Sequence, residues 1–419
     1  MQRKILDYIN ENFPKTIRLH QEDDDRRIGL PYPYTVPCVS DMFQEMYYWD
    51  TYFTNVGLIA CGNIRQAKNN VDNILYLVDR YGFMPNANLF SFLDRSQPPF
   101  LFLMVWDVYA VTDDLKWLRN AYGILKKEYA FWQENKCLPN GLNSYTGYKI
   151  DPKRLDLIVD YGMTRLGYKP DVLDDEAKKT VYMALKSFCE SGWDCNSRFL
   201  EKPHEFNHVD LNSLLYAMEE SMLNFSKVLE NGEHLDWEAR MNARKERMQV
   251  LWSEEAGAFM DYHPIIKRHS DYLSAASLYP LFCGVATQQQ AEKTRNILQE
   301  IELPYGISCG EPNPAWGAQW DYPYIWAPIQ FIAYHAMIRY GYCEDAKRIA
   351  RKYIDLIEKN FEKTGNLWEK YDGITGETVN AEYDAPKMLG WTSGVYVYFC
   401  NVLKADLDFN NHTIEVFKA

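Results

Sequence analysis

The feature of this sequence that most constrains its fold is a long succession of helical patterns with very few strand signals between them. Apolar residues recur at helical spacing, as Val71, Ile74, Leu75 and Val78 do on one face of a helix predicted over 62–81. A helix is also predicted at the N-terminus, and a short strand over 413–417. Further helices are predicted over 98–109, 113–135, 174–190, 210–230, 235–252, 274–283, 287–300, 326–340, 344–360 and 387–403.

Roughly twelve helices without a linker or a low-complexity segment indicate one all-α architecture. We expect six helical hairpins arranged in a barrel, an (α/α)6 toroid. An extended helical solenoid is the alternative, but no fixed repeat period is present. The sequence therefore predicts a single catalytic domain over residues 1–419, with an N-terminal helix and loop as a lead-in to about residue 45.

Charge and composition exclude several classes of partner. A net charge of -13 repels phosphate backbones and anionic lipid surfaces, so neither nucleic acid nor membrane is expected as a partner. No apolar stretch has the length of a membrane span, and the first residues form an amphipathic helix pattern rather than a signal peptide. Nine scattered cysteines without a CxxC pair fit reduced thiols. These observations predict a cytoplasmic protein, and they do not determine its oligomeric state.

A carboxylic acid in the middle of the chain is the strongest catalytic candidate. Asp194 follows Gly192 and Trp193 and precedes Arg198 by four positions. A carboxyl group beside an apolar ring can keep its proton near neutral pH and act as a general acid. The plain alternative is that Asp194 caps the following turn.

Cleavage of a glycosidic bond needs a second carboxyl group, for which Glu382 is the candidate. Glu382 lies in a polar loop over 378–384, directly before the last predicted helix. The plain alternative is a solvated loop glutamate. An inverting pair stands about 6.5–9.5 Å apart, which leaves room for a water molecule.

Other clusters combine hydrogen-bonding groups with aromatic rings, as a sugar site does. Arg95 and Gln97 precede a buried helix; they could hold hydroxyl groups, or Arg95 could simply pair with Asp94. Tyr48, Trp49 and Asp50 form one aromatic cluster with an acceptor, and Gln319, Trp320, Asp321 and Trp326 form another. Core packing is the alternative for both. The expected partner is a small-molecule carbohydrate, bound without a cofactor or a metal.

One motif favours a different class of enzyme. Residues 204–208 read H-E-x-x-H, the zinc-peptidase pattern, with His204 and His208 as potential ligands. Zinc chemistry requires both histidines on one helical face, yet Pro203 comes just before and the next predicted helix begins near Asp210. A zinc peptidase and a non-catalytic sugar-binding protein are therefore the alternatives from other classes.

At these residues the sequence resembles the trehalase family of glycoside hydrolases, family 37. The likeness runs from about Phe43 to Val395 through blocks that stand in the family's order. The Glu-Ser-Gly-Trp-Asp block ends at Asp194, and a Glu-Tyr block begins at Glu382. The other matching blocks are 47–53, 79–82, 85–88, 95–100, 209–212, 319–328 and 390–395.

The resemblance implies an inverting hydrolase of an α-glucosidic bond on an α/α toroid, with trehalose cleaved to two glucose molecules. It implies that Asp194 is the general acid and that Glu382 is the general base. The substrate-binding residues expected from the motifs and the resemblance are Phe43, Gln44, Tyr48, Trp49, Asp50, Asn86, Arg95, Gln97, Trp193, Arg198, Gln319, Trp320, Asp321, Trp326 and Trp391.

Two departures from the family concern the leaving-group side of the site. Met42 stands where the family has an arginine, and no Arg-Pro-Glu-Ser-like loop occurs between Asn143 and Arg165. A trehalase-like hydrolase of another α-glycoside, such as another disaccharide or a glycosyl-glycerate, is therefore the alternative within the class.

Overall fold

The computed structural model describes residues 1–146, 155–165, 173–194, 196–199, 202–312, 314–315, 317–379 and 383–405 of the chain. Helices dominate these residues. The α-helices are α1 (Gln2–Asn12), α2 (Tyr48–Ala60), α3 (Ile64–Tyr81), α4 (Leu101–Thr112), α5 (Leu115–Lys136), α6 (Leu155–Arg165), α7 (Asp175–Ser191), α8 (Val209–Val228), α9 (His234–Arg247), α10 (Tyr279–Phe282), α11 (Gln288–Arg295), α12 (Leu298–Ile301), α13 (Ala327–Arg339), α14 (Cys343–Thr364) and α15 (Gly390–Ala405).

Within the described residues, six helices form a closed inner ring. In order around the ring they are α2, α4, α8, α10, α13 and α15, and α15 packs back against α2. Helices α3, α5, α9 and α14 pack on the outside of this ring, and α1 packs on α14 and α15. The chain alternates between the two layers, so the predicted all-α toroid of helical hairpins is confirmed.

The strands of the described residues are short and form two-stranded antiparallel pairs in the loops. The pairs are β1 (Ile17–Arg18) with β2 (Tyr34–Thr35), β3 (Trp252–Ser253) with β4 (Ala258–Phe259), β5 (Tyr262–His263) with β6 (Arg268–His269), β7 (Glu302–Leu303) with β8 (Gly306–Ile307), and β9 (Tyr324–Trp326) with β10 (Lys370–Asp372). The strand predicted over 413–417 lies outside the described residues. The single domain over 1–419 stays a prediction.

Helix boundaries follow local chemistry where the sequence carries an amphipathic signal. Thr287 caps α11: its hydroxyl accepts from the backbone N–H of Gln290, and the Gln290 side chain accepts from the backbone N–H of Thr287. The helix predicted over 98–109 begins later, at Leu101, since Pro98 and Pro99 stay outside it. Among the described helices, none combines the length and the apolar character needed to cross a bilayer.

Two helices of the described residues, α2 and α6, were not predicted from the sequence, and α2 belongs to the inner ring. Helix α2 is buried on nearly every side, from Tyr48 to Leu58, so its sequence has no polar face to reveal a helical period. Helix α6 was the other omission. A helix at the centre of a toroid is the kind that periodicity detects least well.

The ring closes where α2 and α15 approach closely through two glycines. A Cβ atom added to Gly57 would lie 2.3 Å from the Cα of Gly394. A Cβ added to Gly394 would lie 2.1 Å from the carbonyl oxygen of Phe53. Only residues without a side chain permit this backbone-to-backbone contact.

We expect Gly394→Ala to destabilise the protein by about 1–3 kcal/mol, because the added methyl group must push the two helices apart. The free energy of unfolding in urea, followed by circular dichroism, measures this loss. Gly123→Ala on α5 is the matched control, since nothing lies within 4 Å of its added Cβ. That control should be neutral or stabilise by up to about 1 kcal/mol; an equal effect of both substitutions would contradict the close contact.

Candidate active site

A cavity of about 540 Å³ opens at the end of the toroid where the inner helices begin. Its lining comes from the segments that precede or start α2, α4, α8, α13 and α15, together with the α6–α7 hairpin. The predicted residues that line it are Phe43, Trp49, Asp50, Asn86, Arg95, Gln97, Asp194, Gln319, Trp320, Trp326 and Trp391. Residues far apart in the sequence thus form one pocket.

Asp194 reaches the cavity because α7 ends abruptly before it. Gly192 adopts a left-handed conformation (φ 76°) after the last helical residue, Ser191, as a helix-terminating glycine does. A Cβ at Gly192 would lie 2.7 Å from the indole ring of Trp49, so the backbone passes directly over that ring. The tight turn sends the chain from a buried helix to the cavity wall within three residues.

The loop after Asp194 is held by the loop before α13. The carboxylate of Asp321 accepts from the backbone N–H of Ser197 at 2.6 Å and from its hydroxyl at 2.7 Å. The side chain of Asn196 donates to the carbonyl oxygen of Trp320. Asp321 is therefore an internal anchor, fully buried behind the cavity wall.

A buried ion pair and a backbone hydrogen bond meet at Glu190, near the end of α7. Glu190 accepts from Lys136 at 2.7 Å, and both side chains are almost fully buried. Glu190 also accepts from the backbone N–H of Ser96 at 2.8 Å, between Arg95 and Gln97. The end of α7 and the loop before α4 are thereby fixed to each other. Breaking such a pair leaves a buried charge unpaired, which is costly.

Asp50 stands on the first turn of α2, at the floor of the cavity. Burial raises its pKa to about 8, and the neighbouring carboxyl groups of Glu369 and Asp194 add to the shift. At neutral pH the Asp50 carboxyl is therefore mostly protonated, and both other acids lie within electrostatic reach of it.

Four tryptophans form a continuous wall. Trp320 and Trp326 are stacked with ring centroids 3.9 Å apart, and Trp49 lies 5.5 Å from Trp320. Trp391 meets the edges of Trp49 at 5.9 Å and of Trp326 at 5.6 Å. Flat rings packed in this way give a rigid apolar surface for a sugar ring.

Glu369 is a cavity carboxylate that the sequence analysis missed. One carboxylate oxygen accepts from Lys370 at 2.7 Å, and the other accepts from the hydroxyl of Tyr383 at 2.9 Å. Lys370 is fully buried and also donates to Gln319 at 2.9 Å. A signal was present, because Trp368-Glu369 repeats the Trp-acid pattern of the Asp194 segment. The predicted base, Glu382, lies outside the described residues.

Five of the predicted substrate-binding residues do not line the cavity. Gln44 accepts from Arg18 at 2.7 Å and donates to backbone carbonyls. Tyr48 is buried and donates to Glu128 at 2.6 Å. The buried guanidinium of Arg198 binds Asp210 at 2.8 Å. The other two are Asp321, described above, and Trp193, which is buried and stacks on Trp320.

The H-E-x-x-H residues do not lie on one helix. His204 and Glu205 belong to a single 3-10 turn (Pro203–Glu205), whereas His208 is the residue that precedes α8. The Nδ1 atom of His208 accepts from the backbone N–H of Tyr145 at 3.0 Å, and Glu205 contacts His263 at 3.0 Å instead. This arrangement differs from the helical pair that a zinc peptidase needs.

Comparison with known proteins gives consistent matches along the chain. The Trehalase family model matches residues 2–404. The periplasmic trehalase of Pseudomonas aeruginosa is 32% identical over 93% of this chain and 75% of its own length. The neutral trehalase of Saccharomyces cerevisiae has a similar structure, with a TM-score of 0.76 and 26% identity over 94% of this chain and 79% of that one.

A more distant structure supports the fold alone. The mannosylglycerate hydrolase of Thermus thermophilus has a TM-score of 0.65 and 16% identity, over 88% of this chain and 95% of that one.

The prediction of a cytoplasmic protein is wrong by this comparison. The curated relatives from Pseudomonas, Xanthomonas and Escherichia are periplasmic trehalases by name. The prediction relied on cysteine usage. The eight cysteines of the described residues form no disulfide, but a core of this size needs no disulfides in any compartment. Their pattern therefore carries no information about location.

We expect Gly192→Ala to lower kcat/KM at least roughly tenfold, because the added methyl group displaces Trp49 as well as straining the left-handed backbone. Steady-state kinetics on an α-glucoside measure this loss. Gly82→Ala is the matched control, since Gly82 ends α3 with a similar φ of 82° and nothing within 4 Å of its added Cβ. Equal losses in kcat/KM would assign the effect to backbone strain alone.

Asp50 should also make the stability of the protein depend on pH. Between its ordinary pKa of 3.8 and its folded pKa of about 8, the folded protein holds a proton that the unfolded chain has released. Raising the pH through this range therefore favours unfolding.

We expect Asp50→Asn to gain stability relative to the unaltered protein as the pH rises from about 4 to about 8, with no further change above that. Urea unfolding at several pH values measures the difference. Asp236→Asn, an exposed aspartate on α9, is the control. A stability difference for Asp50→Asn that is constant with pH would rule out the raised pKa.

Proposed function

The chain belongs to the trehalase family of glycoside hydrolases, and on that premise we propose that it hydrolyses the α-glucosidic bond of trehalose with inversion, releasing two glucose molecules. The observation that carries this proposal is that two carboxyl groups, Asp194 and Glu369, face one cavity walled by tryptophans. Acid catalysis at one carboxyl and base catalysis at another is the chemistry that inversion requires.

In this proposal Asp194 protonates the oxygen of the leaving sugar. Two features support that role. The turn at Gly192 directs Asp194 into the cavity, and the anchors around Ser197 and Asp321 hold the following loop. A general acid must keep a constant position relative to the bond that it cleaves, and a loop tied at both ends provides this.

The general base takes a proton from the attacking water. Glu369 is one candidate for it, because it lines the cavity and its two oxygens are oriented by Lys370 and Tyr383. Glu382, predicted from the sequence, is the alternative candidate. Tyr383, the residue that follows Glu382 in the sequence, donates to Glu369 at 2.9 Å.

Hydroxyl groups of the bound glucose would be held by the polar lining. Asn86, Arg95, Gln97 and Gln319 offer donors and acceptors there, and the protonated Asp50 offers a further donor. The residues behind the wall have a supporting role in this scheme. Arg198, for example, lies over the ring of Trp193 at 4.8 Å and thereby supports the wall on which the sugar rests.

Product configuration tests the reaction. Proton NMR of trehalose hydrolysis should show one α-glucose and one β-glucose in equal amounts before mutarotation, since inversion acts on one ring only. Release of α-glucose alone would contradict inversion. Full activity in Asp194→Asn would contradict the assignment of the acid.

Glutamine variants identify the base. We expect Asp194→Asn and Glu369→Gln each to lower kcat by about 10²–10⁴-fold, the contribution of a positioned general acid or base. The variant that lacks the base also loses the acidic limb of the pH profile of kcat/KM, because that limb reports ionisation of the base. If Glu382→Gln loses the limb and Glu369→Gln keeps it, the base is Glu382.

A further inference from the structure

One part of the cavity wall does not belong to the inner ring. The other lining residues of the described chain precede or begin inner helices, whereas six come from the α6–α7 hairpin. These six are Leu157, Ile158, Tyr161, Leu185, Lys186 and Cys189. The hairpin stands in the chain between α5 and α8 and adds a separate face to the site.

The face that α6 turns to the cavity is apolar and open. Leu157 and Tyr161 are 68% and 59% exposed, and they lie one helical turn apart. Of the large apolar side chains that are exposed in the described residues, these two border the cavity. Exposed apolar groups at the rim of a pocket are typical of a ligand contact.

Packing of α6 against α7 keeps this face turned outward. Val159 is buried, and Gly162 lies against the side chain of Leu185, where an added Cβ would come within 2.9 Å of a methyl group. The small residue therefore allows close contact on the core side of α6. Leu157 and Tyr161 are left on the other side as a fixed surface.

Aromatic rings extend the apolar lining beyond the hairpin. Phe43 and Tyr47 meet edge to face at 5.8 Å, Tyr47 lies 6.5 Å from Phe92, and Phe43 lies 5.8 Å from Tyr383. All four are half-buried and line the cavity. This part of the lining is therefore apolar, whereas the lining around Asp50 and Asp194 carries hydrogen-bonding groups.

Lys186, the charged residue that the α6–α7 hairpin contributes to the cavity lining, does not favour binding of an acidic leaving group. Lys186 forms an ion pair with Asp94 and is only 4% exposed. Asp94 also pairs with Arg95 at 3.0 Å. A carboxylate on the ligand would have to compete with Asp94 for both cations.

We infer that the α6 face, formed by Leu157 and Tyr161, is the subsite for the leaving group and binds the apolar surface of an aglycone. Alkyl and aryl α-glucosides are then substrates. This inference rests on the proposed function. Asp194 gives its proton to the glycosidic oxygen as the bond from that oxygen to C1 breaks. Water forms the new bond to C1 and loses a proton to the base, so β-glucose and the alcohol leave.

Two substrates that differ only in apolar length test this subsite. In the unaltered enzyme, hexyl α-glucoside should have a kcat/KM at least roughly tenfold above that of methyl α-glucoside, because five additional methylene groups reach the α6 face. Leu157→Ser and Tyr161→Ser should each lower the hexyl-to-methyl ratio of kcat/KM by roughly fivefold. Coupled detection of glucose measures both rates.

Leu235→Ser on α9 is the matched control, since Leu235 is 66% exposed and lies away from the cavity. It should leave the hexyl-to-methyl ratio unchanged. The inference is overturned if the unaltered enzyme treats both glucosides alike, or if Leu157→Ser changes the ratio no more than Leu235→Ser does. A failure to cleave trehalose and both glucosides would instead refute the proposed function, so the two failures are distinguishable.

Discussion

The contact between α2 and α15 is the constraint on which the rest of this structure depends. It joins the first and the last inner helices, and it is possible only because Gly57 and Gly394 bring the two backbones together. The cavity is lined by segments at the beginnings of inner helices, so their mutual distances are set by the closed ring. Asp50, on α2, and Glu369, in the segment that leads toward α15, come within electrostatic reach of each other through this closure.

The fold was predictable to the extent that helices have a polar side. Outer and capped helices such as α3 and α11 carry an apolar stripe or a capping residue, and their predicted starts lie close to the observed ones. The helix predicted over 287–300 is divided into α11 and α12. The inner helix α2 does not, because protein surrounds it on all sides and no periodicity remains in its sequence. The contact between α2 and α15 could not be predicted from a local sequence pattern either, because it depends on two glycines more than three hundred residues apart.

The candidate site was predictable from residue type and order rather than from side-chain direction. Most of the predicted residues line the cavity, yet Tyr48 and Arg198 point into the protein, where Glu128 and Asp210 bind them. Adjacent residues such as Tyr48 and Trp49 differ in role because consecutive positions on a helix face different directions. Glu369 was missed because Tyr383, which binds its other carboxylate oxygen, contacts it only in the folded chain.

The hairpin of α6 and α7 contributes to the cavity without taking part in ring closure. Mutations on the exposed side of α6 touch neither the glycine contact nor the anchors of the Asp194 loop. Selection can therefore alter which alcohol is released while the bond-breaking groups keep their arrangement. Enzymes of this architecture can diversify by exchanging a surface element, in the way that loops on other scaffolds are exchanged.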